Sequence, residues 1–71
     1  MSYVKNRISR LLFERGWIDG ELAGRTGISR ERINRIKNRR ARPTVGEALL
    51  ISGALHVSVT DIFFLPEDML A

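Results

Sequence analysis

A chain of 71 residues has room for one domain, and at this size folding buries only about 60% of the unfolded surface, so stability must come from close packing. With no cysteine, disulfide staples and thiolate metal sites are excluded and a reducing cytosol is the natural compartment, and with one histidine besides a dedicated zinc centre is not expected. Apolar residues reach 44%, which argues against disorder. No apolar run approaches the roughly 18 to 20 residues of a membrane span, and no signal-peptide pattern opens the chain. A protein this small rarely encloses a catalytic pocket, so binding is expected, with no catalytic residue, metal or cofactor.

The net charge is +4, but it is unevenly placed. Between residues 25 and 42 stand Arg25, Arg30, Arg32, Arg35, Lys37, Arg39, Arg40 and Arg42, opposed only by Glu31, which gives +7. Elsewhere four cations meet seven acids, which gives −3. Eight cations against one acid is too lopsided for an ordinary solvated face and points to a polyanion, nucleic acid first.

The elements follow in chain order. Val4, Ile8, Leu11 and Leu12 fall on one stripe of an amphipathic helix, with Lys5, Arg7 and Arg10 on its polar side. Gly16 supplies its stop. Trp17 and Ile18 follow as apolar anchors. Asp19 is placed to cap a short helix over about 20–26, with Leu22 and Ala23 inward. Gly20 and Gly24 weaken that helix by roughly 1 kcal/mol each relative to alanine, so packing must hold it. Gly27 breaks the chain, and Ser29 caps the next helix, over about 30–38. Only Ile33 and Ile36 are strongly apolar there. So thin a seam on so charged a helix leaves a broad face for a partner.

Residues 38–43 read as a loop, since Arg42 precedes Pro43. Thr44-Val45-Gly46-Glu47 fits a capping box that opens a helix over about 45–55, burying Ala48, Leu49, Ser52 and Leu55 or close neighbours. Ser58-Val59-Thr60-Asp61 fits a second box, starting a short helix through Ile62 and Phe63 that ends by Pro66. No segment alternates long enough to support a strand.

Five short helices with a glycine turn between the second and third resemble the Cro/lambda-repressor type of helix-turn-helix protein, also called the xenobiotic-response-element family. The core of the likeness is residues 19–38, from Asp19-Gly20-Glu21-Leu22-Ala23 through Gly27-Ile28-Ser29 to Ile33, Ile36 and Asn38. It continues through Pro43, Thr44, Val45, Ala48, Leu49, Ile51, Ala54, Leu55, Val57, Ser58, Val59, Ile62 and Phe63. The resemblance implies a compact all-α, five-helix, lambda-repressor-like DNA-binding domain over 1–65 with a tail over 66–71.

In that family the second motif helix enters the major groove. The resemblance therefore assigns base contacts to Ser29, Arg30, Glu31, Asn34 and Arg35. Arg30 and Arg35 suit guanine O6 and N7, with a phosphate contact as the competing role. Asn34 reads adenine or holds a phosphate. Glu31 accepts from cytosine N4 or orients Arg35 one turn later. Phosphate contacts fall to Arg32, Lys37, Asn38, Arg39, Arg40 and Arg42, with a partner contact as the alternative for Arg32.

Some positions depart from the family. Its usual Thr or Ser followed by a phosphate-binding Gln is Ile18-Asp19 here, so capping replaces phosphate binding at Asp19. Its frequent Arg–Glu ion pair falls on Leu12 and Lys37, so that pair is missing and Lys37 is released toward phosphate. The Gly after Asn38 is Arg39. His56 replaces a Gly between the last two helices; histidine tolerates the left-handed region better than most residues, so a structural turn outranks a titrating switch.

One module buries little DNA, and such proteins usually read two half-sites as a homodimer. Leu50, Phe64, Leu65, Met69 and Leu70 are more apolar than a monomer needs and form the expected two-fold interface; packing of the tail on its own core is the alternative. The leading expectation is a Cro-like cytoplasmic repressor of bacterial or phage origin, bound to double-stranded DNA at a palindromic operator. The alternatives are an antitoxin, which neutralises a toxin protein while autoregulating its operon, and a restriction-modification controller. Either toxin or transcription machinery is then a possible protein partner. A membrane-surface role is disfavoured because Pro43 and the glycines interrupt any long amphipathic face.

Overall fold

Left-handed residues set the corners of the chain. A computed structural model describes residues 4–66, in the order β1 (Lys5–Asn6), α1 (Ile8–Arg15), α2 (Asp19–Thr26), α3 (Arg30–Lys37), α4 (Val45–Leu55), α5 (Val59–Ile62) and β2 (Phe63–Phe64). Gly16 ends α1 at φ 69° and Gly27 ends α2 at φ 77°, a conformation that costs glycine no Cβ clash. His56 ends α4 at φ 57°, the structural turn expected of it. Thr44 and Glu47 form the full reciprocal capping box of α4, and Ser58 and Asp61 that of α5.

Each helix contributes to one core. Ile8 and Leu12 come from α1, Leu22 from α2, Ile33 and Ile36 from α3, Ile51 and Leu55 from α4, and Ile62 from α5. Trp17, Ala23 and Ile28 pack against its margin. The polar groups that enter the core are satisfied. Thr26 Oγ1 donates to the Leu22 carbonyl at 2.8 Å and accepts from the Ile28 amide at 3.1 Å, so one hydroxyl both closes α2 and starts the turn.

Three expectations need correction. The chain does contain strand: Lys5 pairs with Phe64 and Asn6 with Phe63 in an antiparallel ladder. Two residues per strand are too few to alternate visibly, and the ladder exists because the two ends of the fold meet. For the same reason α1 starts at Ile8, after Val4 has been drawn off the helical stripe. On α4 the buried residues are Ile51, Ser52 and Leu55, whereas Leu49 is 58% exposed. At 100° per residue Leu49 and Ile51 lie about 200° apart, so both cannot face inward.

A candidate nucleic-acid interface on the third helix

α3 is held at both ends and bare along one side. At its start, Ser29 Oγ accepts from the Arg32 amide at 3.1 Å. At its end, Asn6 Nδ2 donates to the carbonyls of Ile36 (3.1 Å) and Lys37 (3.4 Å), while Asn6 Oδ1 accepts from the Ile8 amide at 3.1 Å. One side chain thus caps the end of α3 and the start of α1. Sequence reasoning passed over Asn6, which lies some thirty positions from its partners and matches no local capping pattern.

With Ile33 and Ile36 buried, Arg30, Glu31, Asn34 and Arg35 fall on the exposed side. Together with Asp19 from the first turn of α2 they line a shallow groove. Asn38 ends α3 and donates from Nδ2 to Asn34 Oδ1 at 3.3 Å. Arg39 and Arg40 follow at once, both exposed. Arg39 stands at φ 60°, a conformation that costs a non-glycine residue roughly 1 to 2 kcal/mol. Four of the five expected base-contact residues, Arg30, Glu31, Asn34 and Arg35, therefore line one groove, while Ser29 stands at the helix cap, and Asn38, Arg39 and Arg40 follow, exposed, at the end of the helix.

The +7 stretch is not uniformly available to a polyanion. Arg25 donates to Glu21 at 2.8 Å and lies over the Trp17 ring at 4.2 Å. Arg32 turns toward α4, where Nε and Nη2 grip the two carboxylate oxygens of Glu47 at 2.9 Å each, and Nη2 also reaches the Arg42 carbonyl at 2.9 Å. Arg32, expected at phosphate or at a partner, is thus engaged within the fold. Its bidentate guanidinium bonds hold the Glu47 carboxyl down at about 2, against an ordinary 4.5, despite the opposing effect of burial. Glu47 also accepts from the Thr44 amide at 2.8 Å, so the same carboxylate caps α4 and anchors α3.

Lys37 is likewise not released. Its Nζ lies 2.8 and 3.0 Å from the two oxygens of Asp19. Nor does Asp19 cap α2: Ile18 occupies the cap position and provides no side-chain bond, and Asp19 is the first helical residue. The pair spans 18 positions and so leaves no signature in the residues next to either partner. Among the described residues, Arg30, Arg35, Arg39 and Arg40 have no acidic partner, and Glu31 makes no bond to Arg35. The second helix of the motif thus presents an arginine-rich face whose other cations are spent on holding it in place.

The pattern of the helix-turn-helix family matches residues 7–62, taking in α1 to α5. The chain belongs to the Cro/C1-type helix-turn-helix family, and it is a DNA-binding transcriptional regulator with the lambda-repressor-like all-α fold. A comparison with curated proteins gave no match. No helix among the described residues is long and apolar enough to cross a membrane.

Proposed function

We propose that this protein is a repressor that binds a palindromic operator as a homodimer, with α3 in the major groove of double-stranded DNA. The observation that carries the reading is the exposed row of Arg30, Glu31, Asn34 and Arg35 on a helix fixed at both ends. A rigid helix presenting guanidinium, amide and carboxylate groups suits direct readout of base edges. Arg39 and Arg40, with Arg42 beyond them, skirt the phosphate backbone, and Asn38 supports them. Ser29 contributes its hydroxyl proton, since its oxygen already serves the Arg32 amide. Repression follows from occupying the promoter, inside a bacterial or phage-infected cytoplasm.

The dimer draws on apolar surface that the fold leaves exposed. Leu50 is 51% exposed and Leu65 43% exposed. Phe64 has a prior commitment: it pairs with Lys5 in the ladder, and the Arg7 guanidinium lies 4.2 Å above its ring. It therefore offers the interface only the part of its ring that the Arg7 guanidinium leaves uncovered. Met69 and Leu70 lie outside the described residues.

Footprinting on the DNA that flanks the protein's own gene tests the proposal. The expected result is protection of two symmetric half-sites about one helical turn apart. Protection of a single asymmetric site, or none, overturns it. Sedimentation at tens of micromolar tests the dimer: a two-fold mass that Leu50→Asp halves supports it, and a monomer in both cases refutes it.

A further inference from the structure

We propose that Asp19 is a positioning residue that withholds Lys37 from the DNA backbone. The inference rests on α3 being the DNA-facing helix. Asp19 stands at the rim of the groove between α2 and α3, where a phosphate-facing protein ordinarily profits from positive charge. Yet the position holds a carboxylate, and both of its oxygens are turned onto one ammonium, at 2.8 and 3.0 Å. The two side chains are each only 20% exposed. A lysine that was merely structural would not need to end beside the reading face, and an acid that was merely a first-turn charge would not need to reach the far end of α3.

The consequence is a division of labour among cations. Phosphate contacts raise affinity for every sequence equally. A small protein with eight cations in one stretch therefore risks binding all DNA well. Tying Lys37 to Asp19 removes one sequence-independent contact and places an unfavourable carboxylate near the backbone, so binding to all DNA, random duplex included, is weaker and less salt-dependent, and discrimination is left to the base-reading groups. Asp19 also accepts from Asn34 Nδ2 at 3.4 Å, and Asn38 Nδ2 donates to Asn34 Oδ1 at 3.3 Å. These two contacts orient the Asn34 amide, so the same acid that restrains Lys37 favours one presentation of a base-reading group.

The test is the salt dependence of binding to a random-sequence duplex, measured for Asp19→Asn, for Asp19→Asn with Lys37→Gln, and for Glu14→Gln. Glu14 loses the same charge on α1, where it pairs with Arg10 at 3.3 Å, outside the groove. Far-UV circular dichroism confirms that each variant is folded. Releasing Lys37 to one phosphate steepens the salt slope by about 0.9, which deepens the affinity loss between 50 and 200 mM salt by a further factor of about 3 to 4. Asp19→Asn shows this steepening, the double variant returns to the wild-type slope, and Glu14→Gln stays at it. An unchanged slope in Asp19→Asn, or an equal change in Glu14→Gln, overturns the proposal. If instead Arg30→Ala and Arg35→Ala leave binding unaffected, the α3 assignment itself is at fault.

Discussion

Lys37 at the end of α3 and Asp19 at the start of α2 are joined across the helix-turn-helix, with Nζ 2.8 Å from Oδ1. The family's frequent Arg–Glu pair has no counterpart at Leu12 and Lys37, yet the late position of α3 is still tethered electrostatically, with the sign reversed and to a different helix. Arg32 and Glu47 supply the matching tether to α4. The recognition helix is thereby fixed on two sides by ion pairs and beneath by Ile33 and Ile36.

The Arg32–Glu47 pair makes stability depend on acid. The Glu47 carboxyl titrates at about 2 in the folded protein against an ordinary 4.5, so the unfolded chain binds more protons between those values. The stabilisation is complete above the ordinary value and is lost as pH falls toward about 2. Glu47→Gln keeps an acceptor for the capping box but loses the charge. It is expected to lower stability by about 1 to 2 kcal/mol at neutral pH and to flatten the decline of stability between about pH 5 and 2. Denaturant titrations across that range check both.

Arg39 trades backbone comfort for charge. At φ 60° a glycine is at ease, so Arg39→Gly is expected to raise stability by about 0.5 to 1 kcal/mol, after allowing for the greater freedom of the unfolded chain. Affinity for all sequences should fall, with a salt slope shallower by about 0.9. Thermal melting and fluorescence anisotropy on the same sample read the two effects.

Gly24 sits exposed within α2, and a Cβ built on it meets nothing within 4 Å. Gly24→Ala should stabilise the fold by about 0.5 to 1 kcal/mol through helix propensity. A higher melting temperature with unchanged DNA affinity is the expected outcome.

How far the chain could be read depended on the range of each interaction. The corners at Gly16, Gly27 and His56, the Thr44–Glu47 box and the inward Ile33 and Ile36 are set by residues within a few positions, and all were legible. The contacts that fix the site span longer gaps. Asn6 on the end of α3, Arg32 on Glu47, and Lys37 on Asp19 form only once the helices have packed. Arg32 and Lys37, expected at phosphate, therefore hold the frame, and Asp19, expected to cap α2, anchors Lys37 instead. The short ladder of β1 and β2 was invisible for the same reason, because neither strand can be recognised without the other.

Base reading and backbone binding separate by mutation. Arg30→Ala or Arg35→Ala should cost about 1 to 3 kcal/mol on the operator and relax base choice at one position. Arg40→Ala should weaken all sequences alike and flatten the salt slope by about 0.9. Competition between operator and random duplex separates the two classes; equal losses on both would assign Arg30 and Arg35 to phosphate instead.

The most direct test of the central claim is selection of a random duplex library by the purified protein, followed by sequencing of the bound fraction. If α3 reads bases as one half of a two-fold pair, the bound pool converges on an inverted repeat whose half-sites are centred about 10 base pairs apart, and Arg30→Ala or Arg35→Ala relaxes one symmetric position in each half. A pool that stays as diverse as the input, or that converges on a sequence indifferent to both substitutions, would contradict it.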